Sequence, residues 1–378
     1  MRNLMTKSMS NSQHDENEIY IFRRFMIEYL NNSKARKTLG LVYDVPGQLE
    51  NSGFIQFPDD ATSEWENQTT IDFITNTWKS LGFEVILFPL DQSFFTQWGK
   101  YSSTCNLIHS VVEGFGSLAR ESWIPSLCEL SGIAYIGSSP FAHSLCMSKS
   151  HLKQICVQLN IPTAPFHLIQ SPQDFSKIDP TFFNSSVFFK PNAEGSGMGI
   201  DASFSICHSK NDAKKIATKL LKKYPEGILI EKYLQGSEYT SALIGTPAKF
   251  LPIAQIEVHD GVYGAANKGK DFMGEKVTFP TLNSKCKKII EEGSLKLFSS
   301  IPLSDFVRID WKCDEHGQVY FLEANTLAGL SYHYSVLPLM AKEVGIDYKM
   351  LFKILAESAL TREQGRHLWY GKARLQAR

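Results

Sequence analysis

The chain has 378 residues, 43% of them hydrophobic and 21% charged, with 39 lysines and arginines balanced by 39 aspartates and glutamates. This composition excludes a disordered or fibrous chain, and the length leaves room for two or three domains with substantial cores. Charge balance excludes the global basic excess that would hold nucleic acid or an anionic membrane surface, so any phosphate ligand depends on local cations.

The seven cysteines, at 105, 128, 146, 156, 207, 286 and 313, are odd in number and include no C-x-x-C pair. That pattern fits neither a disulfide framework nor a zinc site, and predicts free, buried thiols in a reducing, cytoplasmic setting. No apolar run approaches the roughly 20 residues that span a bilayer. Met1 to Glu16 are mostly polar and lack the apolar stretch of a secretory signal.

In chain order, a polar tail leads into a predicted helix from Glu18 to Tyr29, capped by Asn17, with Ile19, Phe22, Met26 and Tyr29 on one stripe that packs on the main body. From Thr38 strands and helices alternate: a strand to Tyr43, a helix opened by the capping box Ser63-Glu-Trp-Glu66 and stopped at Gly82, and a strand Glu84 to Phe88. A strand Asn106 to Val112, a helix Glu121 to Leu130 and a short strand Ala134 to Ile136 complete an open α/β unit with a mostly parallel sheet. A second unit begins at Lys149 with a helix through Gln158 and includes a lysine-rich helix from Asp212 to Lys223; the third is dominated by strands. The expected divisions are 1–35, 36–148, 149–230, 231–362 and a tail 363–378.

Four segments carry chemistry. Arg308-Ile-Asp310 and Glu323-Ala-Asn325 lie on two strand-like runs joined by Asp314-Glu-His-Gly317. With Glu315 to Gln318 as a four-residue loop, antiparallel pairing puts Asp310 opposite Glu323, with Asn325 on the same face, at roughly 5 Å between Cβ atoms. Such a pair stays ionised only beside cations, and its oxygen ligands suit magnesium; a surface hairpin with solvated acids is the other reading. Lys190-Pro-Asn-Ala-Glu-Gly195-Ser-Gly-Met-Gly199 follows the apolar run Val187-Phe-Phe189, and its glycines let backbone N–H groups approach an anion; it is either a phosphate-covering loop or a glycine-rich turn. Gly264-Ala-Ala-Asn-Lys-Gly-Lys-Asp271 falls one residue short of a P-loop and has Asp271 where that motif needs Ser or Thr, so the P-loop reading is rejected while Lys268 and Lys270 remain able to reach phosphates. Ile228 to Leu234, with Glu231 inside it, reads as a buried strand followed by Gly236-Ser-Glu238; its backbone can pair with an adenine edge, or it is simply an edge strand. No H-E-x-x-H, zinc-spaced His and Cys, or G-x-S-x-G occurs.

In this order these segments resemble the ATP-grasp superfamily, and within it the D-alanine–D-alanine ligase-like carboxylate–amine ligases. The resemblance runs from about Thr38 to Leu360 and rests most on Lys190-Pro-Asn-Ala-Glu-Gly-Ser, Ile230-Glu-Lys-Tyr-Leu234, Arg308-Ile-Asp, Phe321-Leu-Glu-Ala-Asn-Thr and Gly329-Leu-Ser-Tyr-His-Tyr-Ser-Val-Leu-Pro338. It implies an α/β (α+β) three-domain ATP-grasp fold with an N-terminal open parallel sheet that serves as the substrate domain. It also implies ATP and magnesium, with manganese as a substitute, as cofactors. By the same resemblance Lys149, Lys190 and Lys268 contact phosphates, the segment Glu231, Tyr233, Leu234 takes the adenine, and Glu238 holds the ribose. Asp310, Glu323 and Asn325 carry the metal, Arg308 stabilises the acyl phosphate and tetrahedral species with Ser196 beside the reacting groups, and Ser335 and Leu330 lie at the second substrate's carboxylate. The implied partners are small amino acids or amines, with neither nucleic acid nor membrane, in a homodimer.

The chain departs from the relatives that join two D-alanines in three places. Their Gly-Gly-x-Ser-x-Glu is replaced by Tyr43-Asp-Val-Pro-Gly-Gln48, their His-Gly by Glu113-Gly114 followed by Arg120-Glu121, and a loop tyrosine by Gly269. Glu113 and Arg120 are the candidate replacement substrate contacts, with an ion pair between them as the structural alternative. The expected function is therefore amide-bond formation through an acyl phosphate with altered substrate specificity. A true D-alanine–D-alanine ligase and an inactive ATP-binding regulator are the other two readings.

Overall fold

Three sheets form in succession along the chain, and the seam where they meet holds the functional side chains. The structure, a computed structural model, describes residues 27–32, 37–47, 63–201, 205–258 and 275–376.

In the first sheet β1 (Thr38–Tyr43) lies between β2 (Glu84–Pro89) and β3 (Leu107–Val111), with β4 (Ala134–Ile136) outside β3, all parallel in the order β2-β1-β3-β4. Helices α1 (Gln68–Ser80), α2 (Phe94–Tyr101) and α3 (Trp123–Ser131) provide the crossovers. One face buries Leu39, Leu41 and Trp78, the other Val42, Phe88 and Ile108, which explains why β1 reads as a nearly continuous apolar run. The capping box expected at Ser63–Glu66 does not open α1. Asn67 is the N-cap, its Oδ1 accepting from the backbone N of Thr70 at 2.9 Å, and the two glutamates before it face elsewhere.

After α4 (Pro140–Met147) and α5 (Lys149–Gln158), the strands β5 (Phe166–Ile169), β6 (Val187–Pro191), β7 (Ile206–Cys207) and β8 (Ile228–Lys232) form an antiparallel sheet in the order β5-β8-β6-β7, packed on α6 (Lys210–Leu221). The third sheet, also antiparallel, runs β12 (Glu275–Thr278), β11 (Ala254–Val258), β9 (Glu238–Ile244), β13 (Phe306–Cys313), β14 (Val319–Asn325), with β10 (Lys249–Phe250) paired to β9. On it lies α7 (Ser284–Ser300), burying Ile290 and Leu297 with Trp311 and Phe321.

The chain then returns to the first sheet through α8 (Val336–Glu343) and α9 (Tyr348–Gln376), whose Leu351, Phe352 and Leu355 share a core with Leu39 and Trp78. The backbone of α9 is helical to Gln376, where the sequence suggested a tail from residue 363. Of the predicted first helix, Tyr29 and Leu30 pack on this core and residues 18–26 lie outside the described residues. All seven cysteines are free and buried, as expected. Among the described residues no helix is long and apolar enough to cross a membrane.

Candidate active site

Strands β13 and β14 pair Cys313 with Val319, Lys312 with Tyr320 and Trp311 with Phe321, and then the register shifts. Leu322 is passed over, so that Asp310 faces Glu323 and Arg308 faces Asn325. The turn is the five residues Asp314 to Gln318, closed by Asp314 Oδ1 accepting from the backbone N of His316 and of Gln318 at 2.9 and 2.8 Å. The predicted pairing is present, reached by a longer turn and a compensating bulge.

Cations hold the two carboxylates together. Arg308 donates to Asp310 through Nε and Nη2 at 3.1 and 3.0 Å, while Thr240 Oγ1 and Asn325 Nδ2 donate to it at 2.6 and 2.8 Å. Lys149 Nζ lies 3.3 Å from Glu323 Oε2. Burial pushes the Glu323 carboxyl up, but Lys149, Lys190 and Arg308 outweigh it and hold the group below its ordinary value. Three cations thus surround the facing acids: Lys149 from α5, Lys190 from β6 and Arg308 from β13 itself.

Lys149 opens α5 and Lys190 ends β6, and Asn192 ties the two: its backbone O accepts from Lys149 N at 3.1 Å and its Oδ1 from Ser150 N at 2.9 Å. Lys190 Nζ contacts Glu231 Oε1 and Lys153 Nζ contacts Glu231 Oε2, each at 2.7 Å. Desolvation raises Glu231, yet Lys153 and Lys190 bring it down to about 2. Lys153 was missed in the sequence. The signal was there: it stands four residues after Lys149 on one helix and so shares its face.

These groups line a cleft of about 680 Å³ where the three sheets meet. Lys149, Lys190, Glu231, Tyr233, Leu234, Glu238, Arg308, Asp310, Glu323, Asn325, Ser196 and Ser335 all border it. Tyr233 stacks on Phe188 with ring centroids 6.0 Å apart, and Glu238 pairs with Lys312 at 3.0 Å. Burial raises the Glu238 carboxyl in spite of that lysine, and Asp310 and Glu323 add to the effect. In the glycine-rich loop Ser196 has φ +53°, and a Cβ on Gly199 (φ +67°) would come within 2.7 Å of Pro191 and Tyr224. The loop can fold this tightly against β6 only with glycine there.

Three expectations need correction or fall outside the structure. Arg120 does not reach the cleft: it is 1% exposed, donates from Nε to Glu113 O at 2.8 Å and from Nη1 to Ala193 O at 2.8 Å, and pairs with Glu64 and Glu194. It is a buried tie between three segments, and its ion partners are not the Glu113 carboxylate. Leu330 also lies off the cleft, its side chain in the first core and its carbonyl accepting from Tyr348 OH at 2.5 Å. Lys268, with Gly264 to Asp271, lies outside the described residues. In compensation, Glu64 and Glu66, assigned from sequence to a helix cap, line the cleft; Glu64 accepts from Gly195 N and Glu66 from Tyr334 OH.

Among the described residues no three His, Cys, Asp or Glu side chains gather as a metal site. What the hairpin offers is two carboxylates and one amide, all oxygen donors. The amide nitrogen of Asn325 is spent on Asp310, which leaves its oxygen free to face a cation, so the set fits a hard divalent ion such as magnesium.

Residues 155–357, more than half of the chain, match the family model described as the D-ala D-ala ligase C-terminus. A D-alanine–D-alanine ligase of Aquifex aeolicus (strain VF5) is 32% identical over 240 residues, 64% of this chain and 78% of that protein. The uncharacterized protein y4sG of Sinorhizobium fredii (strain NBRC 101917 / NGR234) is 24% identical over 312 residues, covering 80% and 90%. The crystal structure of a D-alanine–D-alanine ligase from Bacillus anthracis complexed with ATP superposes with a TM-score of 0.67 at 19% identity, over 87% of this chain and 99% of that one, so the fold is shared. The hairpin, the paired lysines and these matches lead to one conclusion: the chain belongs to the D-alanine–D-alanine ligase family of ATP-grasp enzymes, which form C–N bonds with ATP.

Proposed function

We propose that this chain joins an amino acid carboxylate to an amine through an acyl phosphate, in the cleft between its three sheets, with substrates other than two D-alanines. The observation that carries this reading is the meeting of Asp310 and Glu323 with Lys149 and Lys190, four charged groups from separate elements around one cavity. A carboxylate oxygen of the first substrate attacks the γ-phosphorus of ATP, the bond to the β-phosphate oxygen breaks and ADP leaves. The amine of the second substrate then attacks the acyl carbon, loses a proton and expels phosphate.

Lys149 and Lys190 hold phosphate oxygens and neutralise charge as it spreads over them. Glu231, fixed by Lys153 and Lys190, orients the lysine, while the backbone to Leu234 takes the adenine and Glu238 the ribose. Asp310, Glu323 and Asn325 would hold magnesium, which when bound supplies Lewis-acid stabilisation of the transferring phosphoryl group. Arg308, free to release one donor from Asp310, provides a planar pair of N–H groups to the oxyanion. Ser196 and the glycine loop shield the acyl phosphate from water, and Lys268 completes the phosphate contacts.

Altered specificity is supported by the wall where Glu113 stands in place of one of the relatives' segments and Glu64 and Glu66 enter from the strand-to-helix connection, with Asp44 buried behind it and accepting from the backbone N of Glu113 and Gly114. The test is ADP release from magnesium-ATP by purified protein given pools of amino acids. Release that depends on an added amino acid supports the reading; tight ATP binding without turnover in every pool overturns it, and robust turnover with D-alanine alone overturns the altered specificity.

A further inference from the structure

One wall of the cleft is lined by acids. Glu64 and Glu66 come from the segment before α1, Glu113 from the end of β3, Glu121 from the turn before α3 and Glu194 from the loop after β6. Acids drawn from four separate segments into one concave wall are not a solvated charge run, because each had to lose water to be there. Arg120 is the guanidinium set among them, and it lies behind the wall, bound to Glu64 and Glu194. Glu66 is met by the neutral Tyr334 hydroxyl, and Glu121 by Thr326 Oγ1 at 3.2 Å and His143 at 3.3 Å.

The Glu113 carboxylate takes no hydrogen bond or ion pair among the described residues, although its backbone is fixed at both ends: its N donates to Asp44 and its O accepts from Arg120. Burial first, then Glu121 and Glu64, push its carboxyl well above the ordinary range. A single α-ammonium is one positive charge. Glu64 and Glu194 already share the Arg120 guanidinium, so a second positive charge on the substrate would be met at Glu113, which has Glu121 and Glu64 around it.

Resting on the ligase reading above, the geometry points to a substrate that is an amino acid with a second cationic group in its side chain, an ω-ammonium or a guanidinium, received by Glu113 with Glu64 and Glu121 around it. The cation does for Glu113 what Lys149 does for Glu323. A neutral side chain of the same length would leave the carboxylate desolvated and unpaired, so the site rejects it as well as failing to hold it.

The test compares ADP release with lysine, ornithine and arginine against their neutral counterparts norleucine, norvaline and citrulline, each as both enantiomers and with a panel of amines. The expected result is a kcat/KM at least about tenfold higher for a cationic member than for its neutral counterpart. Glu113→Gln is expected to raise KM for the cationic substrate by about tenfold or more, change kcat by less than about threefold, and leave ATP affinity as it was. Equal use of norleucine and lysine, or turnover confined to alanine, overturns this inference while the ligase reading stands. ADP release with no amino acid at all overturns both. An unchanged KM and unchanged discrimination in a folded Glu113→Gln removes Glu113 from the assignment; if that variant does not fold, the wild-type comparison of charged and neutral partners still decides.

Discussion

Asp310 and Glu323 face one another across β13 and β14 although the turn joining those strands is a residue longer than a strict ladder requires, because β14 bulges at Leu322. The bulge is what keeps both carboxylates on the cleft face, since a one-residue slip would turn Glu323 to the other side. Glu323→Ala removes one of the two acids and leaves Lys149 with the Glu194 carbonyl, which accepts from it at 2.5 Å. Phosphoryl transfer should fall by about a hundredfold or more while the melting temperature changes little. Turnover within a factor of a few of the parent, in a folded variant, would remove Glu323 from the metal set.

Lys153 makes a second case. Its ammonium is fully buried and is met by Glu231 Oε2 at 2.7 Å, Thr163 Oγ1 at 2.7 Å and Phe321 O at 3.3 Å, so one side chain joins β8 to β14. Lys153→Met leaves Glu231 with Lys190 alone in a buried place. Breaking a pair of this kind costs about 3–5 kcal/mol, and the loss should appear in urea denaturation together with a raised KM for ATP. A stability change under about 1 kcal/mol would show that Lys190 alone suffices.

The lysines and the acid hairpin that meet in the cleft were legible because they sit in contiguous runs: Lys190 near a strand end before glycines, and two acids at hairpin spacing. Strand positions in the parallel sheet were legible because burial on both faces leaves a nearly continuous apolar run at β1, and in β3 a buried run broken by His109 and Ser110. The acid-lined wall was not. Ser63-Glu-Trp-Glu66 satisfies the pattern of a capping box, and only the tertiary contacts of Glu64 with Arg120 and of Glu66 with Tyr334 reveal that Asn67 took that role instead. Arg120 was misplaced for a related reason: nothing local says that a guanidinium will turn inward, since the partners that make its burial tolerable lie at positions 64 and 194.

Arg120 has four partners that a lysine cannot meet together. Its Nε and Nη1 donate to Glu113 O and Ala193 O, and its terminal nitrogens pair with Glu64 and Glu194. Arg120→Lys keeps the charge and loses the fork, so at least two of these acceptors are left buried without a donor. The expected loss is about 2–4 kcal/mol, read from urea melts, with KM for the amino acid raised as the Glu64 and Glu194 segments separate. Retention of full stability would mean that charge alone, not directed hydrogen bonding, holds this corner.

Asp44 and His109 give the first sheet two opposite responses to pH. Asp44 is fully buried and accepts from the backbone N of Glu113 and Gly114 at 3.2 and 2.7 Å; burial raises its carboxyl to about 7. The folded state then holds a proton that the unfolded chain releases near 3.8, so stability from this group is greatest at low pH and falls as pH rises from about 4 through about 7, by an amount on the order of 4 kcal/mol. His109, buried and accepting at Nδ1 from Trp78 Nε1 at 3.0 Å, is lowered by burial to about 3. Here the unfolded chain takes the proton first, near 6.5, and stability falls as pH drops from there towards 3. Between about 4 and 6.5 the two slopes oppose each other, and the parent protein should show a shallow dependence. Asp44→Asn removes one of them. Its stability should climb relative to the parent as pH goes from about 4 to 7, and its own curve should rise over the histidine range. Urea melts at a series of pH values for both proteins provide the comparison, and a difference between them that stays flat across that interval would mean Asp44 is ionised in the folded protein throughout.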